Sequence, residues 1–206
     1  MLKDIQPTKF YEDIFLARKQ FVEETSRGMF NPMRLLEMAG RLSAMLATSG
    51  PAGINVSPFM ISFLPKKEFL SETNAKIKEY MTAPGMKDMK TGTKFILDTL
   101  YNEEILEPMT FITHLMNKGH TYENVLDNGN LSLGFIIPPD KGAYEVRAKA
   151  RIEEEGEYYD FANLAHDVIH VKPHEKPFHD WCPALIIEVT EIYDNSYKSL
   201  GKKLYP

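Results

Sequence analysis

Cysteine is almost missing from this chain: Cys182 stands alone among 206 residues. One thiol cannot close an intrachain disulfide, and such sparing use of cysteine fits a reducing, cytoplasmic setting. Long apolar runs are missing too. Nothing approaches the roughly 20 apolar residues of a membrane-spanning helix, and the opening MLKDIQPTKF has no apolar signal core. Charge of one sign is not concentrated anywhere. The formal net charge is -5 with no long run of either sign, whereas a nucleic-acid binder needs a dense basic surface. There is no internal repeat and no low-complexity tract. From these absences we expect neither nucleic acid nor membrane among the partners. What remains, 43% hydrophobic and 11% aromatic, suits one packed globular domain over residues 1–206.

Hydrophobic rhythm divides the chain. Phe10, Ile14, Phe15, Leu16, Phe21 and Val22 recur at helical spacing. Asn31-Pro32 reads as a helix start, because asparagine caps and proline fits the first helical position. Met33, Leu35, Leu36, Met38, Ala39 and Leu42 then give an apolar face, so residues 1–42 read as N-terminal helices. Two apolar stretches flank Ser49-Gly50-Pro51-Ala52-Gly53, which predicts a hairpin with strands near 43–48 and 54–63. Pro58 in the second strand predicts an edge, a bulge or an amide no neighbour needs. Residues 65–107 are charged and helical in rhythm, with breaks at Ala83-Pro84-Gly85 and Thr91-Gly92, and read as a helical insertion between strands.

Strands resume at 109–115 and 131–137, followed by a turn at Pro138-Pro139-Asp140-Lys141-Gly142. In YEVRAKARI, Tyr144, Val146, Ala148, Ala150 and Ile152 alternate with Glu145, Arg147, Lys149 and Arg151, the pattern of a half-buried strand. Residues 158–170 read as a helix and 184–193 as a last strand with a buried centre. About six strands, joined mainly by hairpins, with helices at the start and in one insertion, make an α+β pattern on an antiparallel sheet or barrel.

Between two of these strands lies GHTYENVLDNG, residues 119–129. Thr121 reads as an N-cap, with Asn124 three residues on as an echo of the capping box. Asn128-Gly129 supplies the left-handed residue that ends helices. A helix of barely two turns needs the rest of the fold to hold it. Its unpaired amides and partial positive charge suit an anion such as a phosphate. Gly119 permits close approach, Thr121 adds a hydroxyl, His120 could add a proton-dependent charge, and Lys118 is an adjacent cation. The plainer alternative is a capped connector between two strands.

The order of motifs carries more than any one of them. GINVSP (53–58), TYENVL (121–126), LSL (131–133), EVRAKA (145–150) and IEVTEIY (187–193) follow one another. This series resembles the pyridoxamine 5'-phosphate oxidase-like family of FMN-binding split barrels. There a G-x-P-x-V-S-P strand precedes a K-x-x-N-L helix and V-S-L, V-R-V-K-G and V-E-V-x-E-I-Y strands. The match covers roughly residues 31–63 and 109–200. It implies an antiparallel split β-barrel, an FMN cofactor, a homodimer with the flavin at its interface, and oxidoreductase chemistry on a small-molecule substrate. By position, the resemblance has Asn55, Val56 and Ser57 lining the flavin, with Thr113 and His114 at the end of the next strand. Lys118, Gly119, His120, Thr121 and Asn124 would meet the phosphate, while Arg147 and Lys149 would reach the cofactor of the other subunit. Two departures stand out. The cation that many members carry is replaced at His120-Thr121, and the 65–107 insertion takes the place of a short turn. No catalytic acid or base is recognisable, nor is the electron donor.

A second constellation competes. HDVIHVKPHEKPFHDWC holds His166, His170, His174, His179 and Cys182, with Asp167, Glu175 and Asp180 nearby. His166 and His170 are spaced to share a helix face, as metal ligands do. Pro173 and Pro177 interrupt that helix and no H-E-x-x-H pattern is present, so a polar surface loop without metal is the simpler reading. Trp181 or His179 could instead cover the flavin ring of the neighbouring subunit. Three readings therefore stand: an FMN-dependent oxidoreductase, a non-catalytic barrel holding flavin, deazaflavin or haem, and a metal-binding protein centred on residues 166–182.

Overall fold

The computed structural model describes residues 8–27, 43–85, 88–102, 104–137, 142–170 and 181–206. Among them run eight antiparallel strands: β1 (Ser43–Gly50), β2 (Gly53–Met60), β3 (Ser62–Pro65), β4 (Leu106–His114), β5 (Asn130–Ile137), β6 (Gly142–Glu153), β7 (Ala184–Asp194) and β8 (Lys202–Tyr205). The helices are α1 (Thr8–Tyr11), a π-helical turn (Glu12–Leu16), α2 (Ala17–Ser26), α3 (Lys67–Thr82), α4 (Met89–Leu100), α5 (His120–Asn128) and α6 (Glu157–His170).

Topology makes this sheet a barrel. The strand order is β2-β1-β5-β6-β7-β4-β3, with β8 paired to β7. In a flat sheet the six gaps from β2 to β3 would span about 29 Å at about 4.8 Å each. Yet a single residue, Ile61, joins β2 to β3. The sheet must curl until its two ends nearly meet. Thr113 on β4 reaches across that seam, its hydroxyl donating to the Met60 carbonyl at 2.7 Å. The architecture is an α+β antiparallel split barrel.

Alternation along the strands fills the lumen. Leu46, Phe111, Leu133, Phe135, Val146, Leu185, Ile187 and Ile192 are buried in one inner core. Phe10, Tyr11, Ile14 and Phe15, from α1 and the π-helical turn, pack into the same core, and Phe10 meets Phe111, Phe135 and Tyr144 ring against ring. Arg18 on α2 is 1% exposed and donates to the carbonyl of Ile61, the joint between the sheet's ends, at 2.6 Å. Burial pushes its pKa down to about 10, opposed by the nearby Tyr101. Outside the barrel, α3, α4 and α6 cover Leu64, Ile112, Ala184 and Ile186 with Leu70, Ile77, Ile96, Phe161 and Val168. Strand β7 is thus buried on both faces, which explains its nearly unbroken apolar centre.

Several expectations from sequence need correction. The strand anticipated over 54–63 divides at Ile61, because the barrel seam passes there. With β8, too short to show a pattern, that gives eight strands rather than about six. Thr91-Gly92 is not a break. Asp88 caps α4 in a reciprocal capping box with Thr91, and Gly92 lies inside the helix. A Cβ there would stand 2.3 Å from the Val168 carbonyl oxygen, so glycine is what lets α4 lie against α6. Pro58 sits on β2, an end strand of the sheet order, opposite Met45. The Asn31-Pro32 helix, the 138–141 turn and the 171–180 histidine segment lie outside the described residues.

Candidate functional site

Helix α5 is held by one polar face. Thr121, Asn124 and Asn128 fall on the same side at helical spacing, and all three bond to the β1–β2 hairpin. Asn124 is fully buried; its Oδ1 accepts the Ala52 backbone N–H at 3.0 Å. Its Nδ2 donates to the Gly53 carbonyl at 2.8 Å and to the Thr48 hydroxyl at 3.1 Å. Asn128 Nδ2 donates to the Ser49 carbonyl at 2.8 Å. Asn55 Nδ2 donates to Thr121 Oγ1 at 2.7 Å. Gly50 lets the strand come this close, since a Cβ there would lie 2.8 Å from Asn124 Oδ1. At the other end Gly129 adopts φ 65° and closes the helix onto Val125.

The start of the helix differs from expectation. Thr121 is not the N-cap: α5 begins at His120, and Gly119, in an extended conformation, occupies the cap with no side-chain hydrogen bond. Thr121 sits in the first turn, buried, its hydroxyl facing Asn55. A cap without a side chain leaves first-turn amides to find another acceptor. A Cβ at Gly119 would meet only the Asn117 amide, at 3.0 Å, so the surroundings are otherwise open. His120 is exposed there.

Lys118 precedes this start and is engaged. Its ammonium lies 2.7 Å from Glu154, which also accepts the Tyr122 hydroxyl at 2.6 Å. The bond to Glu154 raises the Lys118 pKa, and Lys118, then Tyr122, hold Glu154 below the ordinary carboxylate range.

Not every residue singled out from sequence converges here. Asn55 and Ser57 share the α5 side of β2, whereas Val56 points to the opposite, exposed face. Thr113 faces the barrel seam through its bond to Met60. His114 turns to the helical layer: its Nε2 donates to the Ala162 carbonyl at 2.8 Å, and its ring meets His166 edge-on at 4.8 Å. Trp181 donates to Asp167 at 3.2 Å and packs on Tyr159. Arg147 and Lys149 lie on the outer face of β6, Arg147 paired with Glu145 and Glu191 and Lys149 bonded to Asn130. Among the described residues, no group of three His, Cys, Asp or Glu side chains gathers as a metal site requires.

The same outer face carries an apolar half. Register places Ile54, Val56, Pro58 and Met60 of β2 beside Met45 and Ala47 of β1, with Ile136 of β5 farther along. Ile54 is 86% exposed, and Val56, Met60, Met45 and Ile136 are also exposed. Sequence reasoning missed this surface as a unit, although the alternation in GINVSPFM was its signal: apolar residues fall on the face that an edge strand turns outward.

No family model matches the chain, and no curated protein sequence matches it. Solved structures do. Group A Streptococcus HupZ is 19% identical over 84% of this chain and 98% of that chain, with a TM-score of 0.47. An FMN-binding protein from Syntrophomonas wolfei is 16% identical over 88% of this chain and 96% of that one, with a TM-score of 0.43. A candidate pyridoxamine 5'-phosphate oxidase from Lactobacillus delbrueckii is 15% identical over 80% and 93%, with a TM-score of 0.42. In fold the chain is similar to pyridoxamine 5'-phosphate oxidase-like, FMN-binding split-barrel proteins.

Proposed function

We propose that the chain is a cytoplasmic FMN-binding oxidoreductase that works as a homodimer. The observation that carries this reading is the open start of α5: a glycine cap without a side-chain bond, beside a cluster of neutral hydrogen-bonding groups. Amides at a helix start, with the helix dipole behind them, favour an anionic group. The residues present fit the phosphate of FMN. His120 and Thr121 offer backbone amides, Ser57 a hydroxyl, and Thr121 a hydroxyl whose oxygen already accepts from Asn55 and whose proton remains to donate. Lys118 stands two residues before the helix and would exchange Glu154 for the anion. Asn124, wholly engaged by the hairpin, fixes the helix in place rather than meeting the phosphate.

The apolar outer face of β2, β1 and β5 supports the dimer. A second copy would bury Ile54, Val56, Met60 and Met45, with the charged ladder of β6 and β7 as a polar border. In that arrangement Val56, Arg147 and Lys149 belong to the interface, where they line the cofactor of the opposite subunit. FMN, when bound, supplies the electron transfer. The chain's residues bind its tail, orient it and exclude water.

A visible spectrum of the purified protein after loading with FMN and desalting tests this reading. Flavin absorption that dithionite bleaches, and that NADH or NADPH also bleaches, supports an oxidoreductase. Retained flavin that neither nucleotide reduces points to a carrier, and loss of all flavin on desalting removes the reading.

A further inference from the structure

The connection from β7 to β8 breaks two rules at one residue. Leu200 is 81% exposed, and its φ of 46° makes it the only non-glycine with positive φ among the described residues. A leucine gains nothing from water and is disfavoured in the left-handed region. Tyr197, three residues earlier, is 82% exposed. The turn is nonetheless firmly built. Buried Asp194 accepts from the Ser196 amide at 2.9 Å, the Ser199 hydroxyl at 2.9 Å and the Lys9 ammonium. Leu200 N–H bonds to the Ser196 carbonyl and Gly201 N–H to the Asp194 carbonyl, each at 2.9 Å. This scaffold holds Tyr197 and Leu200 outward. Local strain of this kind, held in place by its surroundings, clusters at functional positions.

The charge around the pair names the partner. Residues 195–203 contain Lys198, Lys202 and Lys203 and no acidic residue, in a chain whose net charge is -5. Lys203 pairs with Glu191, while Lys198 and Lys202 make no ion pair among the described residues. Two convex apolar side chains need a matching cavity on a protein partner. A lipid interface needs none, because it deforms around them, and lysines beside them suit anionic headgroups. We infer that this turn is a docking tip for an anionic phospholipid surface, with Tyr197 and Leu200 entering the headgroup layer and Lys198 and Lys202 contacting phosphates. The expectation of no membrane partner rested on the lack of a spanning helix, and the absence of one among the described residues does not bear on such a surface contact.

Co-sedimentation with vesicles tests the tip. The full chain should pellet with phosphatidylglycerol and phosphatidylcholine in roughly equal parts, pellet less as salt rises, and stay in solution with phosphatidylcholine alone. Leu200→Asp, and separately Lys198→Glu with Lys202→Glu, should each raise the lipid needed for half-binding about tenfold or more. Melting temperature and flavin binding of each variant establish that the fold is intact. Leu200→Gly, which relieves the backbone while removing the side chain, should melt no lower yet still lose vesicle binding. The inference is overturned if anionic vesicles bind no better than neutral ones, or if these variants bind like the parent. It is also overturned if Leu200→Asp abolishes self-association of a chain that never pellets with lipid, since the tip would then be a copy-to-copy contact.

Discussion

Asn124 accepts the backbone N–H of Ala52 at 3.0 Å, tying the middle of the short helix after β4 to the tip of the β1–β2 hairpin. The same amide gives both its protons to the hairpin. A helix of nine residues would not persist alone, so this fully buried side chain is what makes α5 a fixed platform. Asn124→Ala leaves an amide, a carbonyl and a hydroxyl without their partner and should cost about 2–4 kcal/mol. Urea unfolding of the variant measures it. A midpoint unchanged from the parent would show that the hairpin holds without this residue.

Gly92 gives a prediction opposite in sign to helix propensity. In an exposed helix, glycine to alanine stabilises by about 1 kcal/mol. At Gly92 the new methyl would meet the Val168 carbonyl oxygen at 2.3 Å. Gly92→Ala should therefore destabilise by about 1–3 kcal/mol as α4 is pushed from α6. A thermal melt decides it, and a raised melting temperature would contradict the packing described.

Asp194 predicts an acid limb. Burial alone would raise its pKa, but hydrogen bonds from Lys9, Ser196 and Ser199 outweigh burial and hold it below the ordinary carboxylate range. A depressed folded-state pKa stabilises fully above the unfolded value, about 3.9, and that contribution is lost as pH falls toward the folded value. Asp194→Asn should lower stability by about 1–3 kcal/mol at pH 7 and lose less on acidification than the parent. Stability curves that run parallel from neutral pH to about pH 3 would contradict this assignment.

The exposed half of the outer sheet face predicts a dimer that one charge can separate. Val56 is exposed in the single chain, so Val56→Asp should change monomer stability by no more than about 0.5 kcal/mol. Light scattering during size exclusion should show the parent as a dimer and the variant as a monomer. A monomeric parent would contradict the dimer, and a variant that stays dimeric would place the interface elsewhere.

Much of this fold was legible from residue pattern. The strict alternation of β6 showed because only one of its faces is buried, and the run Leu185-Ile186-Ile187 showed because both faces of β7 are. The seam at Ile61 was not legible, because nothing local distinguishes a strand that continues from one that crosses to the far end of the sheet. The polar residues named for the site were legible by type but not in their direction. Asn124 and Asn55 read equally well as ligand contacts, and only the hairpin's position shows Asn124 turned toward it. His114 read as a strand end near the phosphate helix, yet alternation sends it to the opposite side, against α6. Thr121 read as a cap because threonine favours that place, while Gly119 holds it here.

The central claim is that the start of α5 holds a phosphate. Parallel titrations with FMN and riboflavin, which differ only by that phosphate, test it most directly. FMN should bind at least about tenfold more tightly than riboflavin, and rising inorganic phosphate should narrow the gap. Equal affinity for the two, or binding of neither, would contradict the account.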